Sequence, residues 1–140
     1  MRVVITENLR NFLALPMLPE TVAVFGGGNA LSLLARSQWL AESAVHYWGD
    51  IDAHGFLMLS RLREFYQQTL SIMMDATTLD VGRDLLGTGA PATFPLPPAL
   101  TPEEASLFEE TRSDTTRLEQ ERLPYEFVVA RLRSVLANEV

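Results

Sequence analysis

Four short apolar runs punctuate the first half of the chain: Arg2–Thr6 (RVVIT), Thr21–Phe25 (TVAVF), Ala44–Trp48 (AVHYW) and Ser71–Met74 (SIMM). They are mostly apolar on both alternating faces, the pattern of strands covered by helices on each side. Between the second and third runs the period changes. Asn29 is placed to cap a helix carrying Leu33, Leu34 and Trp39 near one face. Between the third and fourth, Leu59, Leu62, Phe65 and Tyr66 repeat at helical spacing. The order βαβαβ predicts an α/β fold with a mainly parallel, four-stranded sheet and right-handed crossovers.

The pattern then breaks. Gly82 to Pro98 (GRDLLGTGAPATFPLPP) is rich in residues that block both helix and central strand, so it reads as a long irregular connection. Helical signals resume at Thr101-Pro102-Glu103-Glu104, which has the form of a capping box with Pro at the first helical position. A second helix starts at Pro124, with Tyr125, Val128, Val129, Leu132 and Leu136 on one stripe. The expected organisation is an α/β core over residues 1–80, a Gly/Pro-rich connection over 81–100, and a helical extension over 101–140 packed on that core.

Composition removes whole classes of chemistry. A chain of 140 residues is long enough to bury on the order of 68% of its unfolded surface around one core. It has no Cys, so disulfides, thiolate metal sites and thiol nucleophiles are excluded. All 11 basic residues are Arg; without Lys there is no Walker phosphate loop and no Schiff-base chemistry. The net charge of -7 makes the chain a poor unaided partner for a polyanion. No run approaches the ~20 apolar residues of a membrane span, and MRVVITENLRNF lacks the apolar centre of a signal peptide. A cytoplasmic protein without membrane contact is expected.

The stretch YWGDIDAHGF places Asp50 and Asp52 just beyond the third run. In an open α/β sheet, ligands bind beyond the carboxyl ends of the strands, and strand residues two apart point the same way. Both carboxylates are therefore expected to converge above the sheet edge, where like charges ~4 Å apart repel by roughly 1 kcal/mol even in water. A divalent cation removes that penalty, and oxygen donors of this type suit Mg²⁺ or Mn²⁺. Gly55 lets the backbone turn closely into the next helix, whose first amides then face the site. Glu7 ends the first run and Asp75 the fourth, so acids from separate strands meet at one rim.

The stretches VVITENLRNFLALP, VAVFGGGNAL, VHYWGDIDAHGFLMLSRLR, SIMMDATTL and RLEQERLPYEF, in that order, resemble the Toprim domain, the metal-dependent phosphodiester-handling module of topoisomerases, primases and related nucleases. The resemblance is nearest to the C-terminal domain of JetD, the nuclease subunit of Wadjet anti-plasmid defence systems, related to the topoisomerase VI A subunit. It implies a Toprim-like three-layer sandwich and a Mg²⁺- or Mn²⁺-dependent DNA endonuclease domain serving plasmid and phage defence. By position it makes Glu7 the general acid or base, able to share a metal held by Asp50 and Asp52. Gly26, Gly27 and Gly28 become the turn that keeps the neighbouring corner open, and Asp75 a supporting carboxylate. It further implies double-stranded DNA bound through a full-length protein, other defence-complex subunits as partners, and a homodimer. Family members carry N-terminal domains, including a winged helix, so the chain is expected to be a fragment, weak or inactive in isolation. The tyrosine nucleophile of type IIB topoisomerases belongs to those domains, so topoisomerase activity is not expected of this chain.

Plainer roles compete at several positions. Asp75 equally suits a helix cap. His46 reads as a packed strand residue, whereas His54, directly after the acid pair, is a candidate for phosphate or metal-shell contact. Tyr47, Tyr66 and Tyr125 read as packing residues. FGGGNAL is not a dinucleotide fingerprint, because Leu31 stands where the third glycine is needed. Glu103, Glu104, Glu109 and Glu110 read as a solvated helix face, and Arg61 and Arg63 as surface residues. Two other functions stay open: a non-catalytic interaction domain on the same scaffold, and a phosphatase-like fold using Asp50 as a covalent nucleophile. The latter would want its acids after the first strand, where Glu7 stands.

Overall fold

The computed structural model describes residues 1–27 and 34–137. Strand β1 (Arg2–Thr6) lies between β2 (Thr21–Phe25) and β3 (Ala44–Trp48), with β4 (Leu70–Ser71) outside β3, in the order β2-β1-β3-β4. All three pairings are parallel, with Arg2 opposite Thr21 on one side and Ala44 on the other, and His46 opposite Leu70. The α/β class and parallel four-stranded sheet expected from the runs are present. The first three runs form strands with the expected bounds.

Three details differ from expectation. The fourth run contributes little to the ladder: β4 begins at Leu70 and ends at Ser71, while Ile72, Met73 and Met74 are buried without strand pairing. Met73 takes a left-handed φ of 54°, which turns the chain out of the sheet. Second, β2 is not covered on both faces. It is the sheet edge, and Val22, Ala23 and Phe25 are exposed although their pattern matches the buried β1 and β3. Third, Asn29 and Leu33 lie outside the described residues; Trp39 sits in a short helix α2 (Gln38–Ala41), where it is exposed while Leu40 is buried.

Helix α1 (Leu9–Leu13) follows β1 directly and is capped by Asn8, whose Oδ1 accepts from the Asn11 amide at 3.2 Å. Helix α3 (Ala53–Phe65) follows β3 and buries Phe56, Leu59 and Leu62 in the core; Phe65, at the same period, is exposed at the last turn. Helix α4 (Ala76–Val81) leads into a 3-10 turn (Arg83–Leu85), and β5 (Gly87–Thr88) then pairs antiparallel with β6 (Thr116–Arg117). The connection is thus irregular except for this 3-10 turn and two-residue ladder. Between its strands runs α5 (Pro102–Asp114), which opens with the anticipated capping box: Thr101 and Glu104 each accept from the other's backbone amide. It ends at Thr115, in the left-handed conformation, which reverses the chain into β6.

The last helix, α6 (Tyr125–Ala137), buries Val128, Leu132 and Leu136 and leaves Tyr125 exposed. One apolar core runs from Val3, Val4 and Ile5 of β1 through Phe56 and Leu59 of α3 to Phe108 of α5 and Leu132 of α6. Glu104 is a correction to the solvated-face reading. It is buried, and Arg63 Nη1 and Nη2 donate to its two oxygens at 2.7 and 3.2 Å while Ser71 Oγ donates at 2.7 Å. Burial pushes the Glu104 carboxyl up, but these bonds and the Thr101 amide hold it below its ordinary value. The pair ties α3 to α5. Among the described residues, no helix is long and apolar enough to cross a membrane.

Candidate functional site

The chain leaves β1 for β2 on one side and returns to β3 on the other. Strand order therefore reverses between β1 and β3, and the crevice outside the carboxyl ends of such a pair is where ligands bind in open α/β sheets. Glu7 is the residue after β1, and Asp50 and Asp52 follow β3 by two and four residues. Parallel pairing in register, with Thr6 opposite Trp48, brings these ends level.

Each acid commits one oxygen to the protein. Glu7 Oε1 accepts from the Tyr47 hydroxyl. Asp50 Oδ1 accepts from the Gln120 amide at 2.9 Å, and Asp52 Oδ1 caps α3 by accepting from the Gly55 amide at 2.6 Å. The second oxygens, Glu7 Oε2, Asp50 Oδ2 and Asp52 Oδ2, take no hydrogen bond among the described residues. Their charges are mutually felt. Burial, then the charges of Asp50 and Asp52, raise the Glu7 carboxyl from 4.5 to about 7. Burial raises Asp50 from 3.8 to about 6; the Gln120 amide opposes this, Asp52 adds to it, and Arg117 offsets part of it.

Glycines allow this closeness. A Cβ on Gly55 would collide with the Asp50 carbonyl oxygen, because the first turn of α3 folds back on the loop holding both aspartates. A Cβ on Gly27 would lie 3.0 Å from the Glu7 carbonyl oxygen, so the turn after β2 also abuts the site. Gly26 is buried there and its amide donates to the Thr6 carbonyl at 2.9 Å; Gly28 lies outside the described residues.

Other candidates stand apart. Asp75 caps α4, accepting from the Thr78 amide at 2.9 Å and hydroxyl at 2.7 Å, and pairs with Arg131 at 3.0 Å. Its oxygens are committed to the fold. His54 is exposed on the first turn of α3, and His46 is buried with Nδ1 3.3 Å from the Val3 carbonyl oxygen. Tyr47 is buried as a packing residue would be, yet its hydroxyl holds Glu7. The period-two alternation that marks a buried strand cannot show where a phenol tip ends.

Residues 117–120 open RLEQERLPYEF, one of the stretches that carry the resemblance, yet no site role was expected of them. Ile51 and Leu118 exchange both backbone hydrogen bonds, at 3.0 and 3.1 Å, which lays this late segment along the acid loop. Arg117, the residue before Leu118, is paired with Glu119 at 2.6 Å. Beside it a cavity of about 450 Å³ is lined by Arg10, Asn11, Trp48, Gln120, Arg122 and Tyr125 among others, and Glu7 faces an adjoining open depression that shares Arg10 and Glu121 with it.

Among the described residues, no three His, Asp or Glu side chains stand as a ready metal-ligand cluster. The donor set nonetheless fits a hard divalent cation in kind: three second oxygens, with the Glu7 and Asp50 carboxyls raised first by burial and then by neighbouring negative charge, which the Arg117 guanidinium offsets only in part at Asp50.

No curated protein matches the chain. Residues 1–132 match the family described as Wadjet protein JetD, C-terminal, and because that match spans nearly all of the 140 residues, the chain belongs to this family.

Proposed function

We propose that this chain is the Toprim catalytic domain of a metal-dependent DNA nuclease acting in anti-plasmid and antiviral defence. The observation carrying the reading is the set of acids at the strand-order reversal, where burial and mutual repulsion hold Glu7 near 7 and Asp50 near 6. A fold spends stability to keep such charges together, and perturbed carboxyls in a cleft are the mark of a working site.

Asp50 and Asp52 would hold Mg²⁺ or Mn²⁺, with Glu7 sharing it. The bound cation would neutralise the scissile phosphodiester, stabilise the departing 3′ oxygen and lower the pKa of an attacking water. Glu7, poised near neutral pH and oriented by Tyr47, exchanges a proton at its carboxylate in the same step. Arg10 and Arg122 beside the site offer cationic contacts to neighbouring phosphates. With a net charge of -7 the chain binds double-stranded DNA through partner surfaces: other defence-complex subunits, DNA-binding segments of the longer protein and a second copy in a homodimer.

Mn²⁺ titration of the wild type and of Asp50→Asn/Asp52→Asn, followed by calorimetry, tests the metal site, and cleavage of closed circular DNA by the assembled complex tests the chemistry. Saturable binding lost in the double variant, with loss of cleavage, supports the proposal. Equal responses would remove the metal site and leave the non-catalytic interaction domain; a trapped aspartyl adduct on Asp50 would replace the nuclease by a phosphatase-like mechanism.

A further inference from the structure

The two strands that deliver the acids are joined by one buried side chain from the far end of the sequence. Gln120 Oε1 accepts from the Thr6 hydroxyl at 3.1 Å and from Asn11 Nδ2 at 3.0 Å, while Gln120 Nε2 donates to the Trp48 carbonyl. Thr6 immediately precedes Glu7, and Trp48 lies two residues before Asp50. The Gln120 backbone N–H meanwhile donates to Asp50 Oδ1 and leaves Oδ2. Only a primary amide offers an acceptor to two donors and a donor to a carbonyl from one side chain of this length. Its burial excludes water from replacing those bonds.

We infer that Gln120 is a positioning residue of the acid site: it clamps the carboxyl ends of β1 and β3 at a fixed separation and presents one oxygen of Asp50 for a divalent cation. The inference rests on the metal-site reading above. It places the segment around Gln120 in the function of the site, where the partners that orient ligating groups commonly change metal affinity by about 10- to 100-fold when removed.

The test measures Mn²⁺ affinity by calorimetry, well below each variant's melting temperature, for the wild type, Gln120→Leu, Asp50→Asn/Asp52→Asn and Leu132→Ala. Leu132→Ala is a destabilised control whose cavity lies in the core. Gln120→Leu is expected to retain its circular dichroism spectrum yet bind Mn²⁺ about tenfold or more weakly, while Leu132→Ala binds as the wild type does. Should Gln120→Leu not fold, Thr6→Val/Asn11→Ala removes both donors to Oε1, leaves Gln120 in place, and is expected to weaken binding in the same direction. Wild-type affinity in the folded Gln120 variant, or in the Thr6/Asn11 variant where that one is used, beside lost affinity in the aspartate variant overturns the inference and spares the metal site. A wild type that binds no Mn²⁺ overturns both.

Discussion

Replacing Glu7 by Gln should make the metal-free protein more stable above neutral pH. Gln keeps an oxygen for the Tyr47 hydroxyl and removes the charge that burial, Asp50 and Asp52 oppose. The folded-state carboxyl titrates at about 7 instead of 4.5, so between those values the folded protein holds a proton that the unfolded chain has released. Unfolding free energy therefore falls as pH rises through that window, and the penalty is complete above about 7. At about 1.4 kcal/mol per pH unit the full rise corresponds to roughly 3 kcal/mol. Glu7 is only partly buried, and water screens part of the repulsion, so about half of that, on the order of 1–2 kcal/mol, is the expected gain. For a chain of this size it corresponds to roughly 5 °C in melting temperature. Urea unfolding in EDTA at pH 8 and pH 5 measures it. The gain should be nearly full at pH 8 and reduced to about a quarter at pH 5, close to the unfolded value of 4.5. A variant less stable than wild type at pH 8, or equally stabilised at both pH values, would refute the electrostatic account of the site.

Divalent cation should substitute for that neutralisation: millimolar Mn²⁺ is expected to raise the wild-type melting temperature more at pH 8 than at pH 5.5, and not in Asp50→Asn/Asp52→Asn, as followed by differential scanning fluorimetry. Gly55→Ala forces a Cβ into the Asp50 carbonyl oxygen; a cost of about 1–3 kcal/mol in urea unfolding is expected, together with loss of Mn²⁺ binding because both aspartates shift. Glu104→Gln leaves the Arg63 guanidinium buried without its counter-charge and should cost about 3 kcal/mol. Because Glu104 is held below its ordinary value, its contribution is present above the unfolded value of 4.5 and is lost as pH falls through the folded one; a variant that unfolds with wild-type pH dependence on the acid side would contradict this. Thr101→Ala removes the cap of α5 and should cost about 1 kcal/mol with no effect on Mn²⁺ binding.

Local rules carried the architecture a long way. RVVIT, TVAVF and AVHYW are strands because β-branched and aromatic residues fill them, and the Thr101–Glu104 box starts a helix because its groups satisfy each other within four residues. The placement of Glu7, Asp50 and Asp52 just beyond the carboxyl ends of β1 and β3 was legible too, and in an α/β pattern that edge is where ligand groups gather. What local pattern could not reach was set by contacts distant in sequence. TVAVF has the composition of a central strand, yet it lies at the edge because only β1 pairs with it. Glu104 looks like one of four solvated acids until α5 packs on α3 and meets Arg63. Asp75 follows an apolar run much as Asp50 does, but Arg131 and its own helix take its oxygens. Tyr47 and Gln120 reach the candidate site only when β1, β3 and a segment more than 110 residues from Thr6 converge. Hydrogen bonds between groups so far apart along the chain leave no periodic trace in the sequence; they exist once the core has brought their elements together.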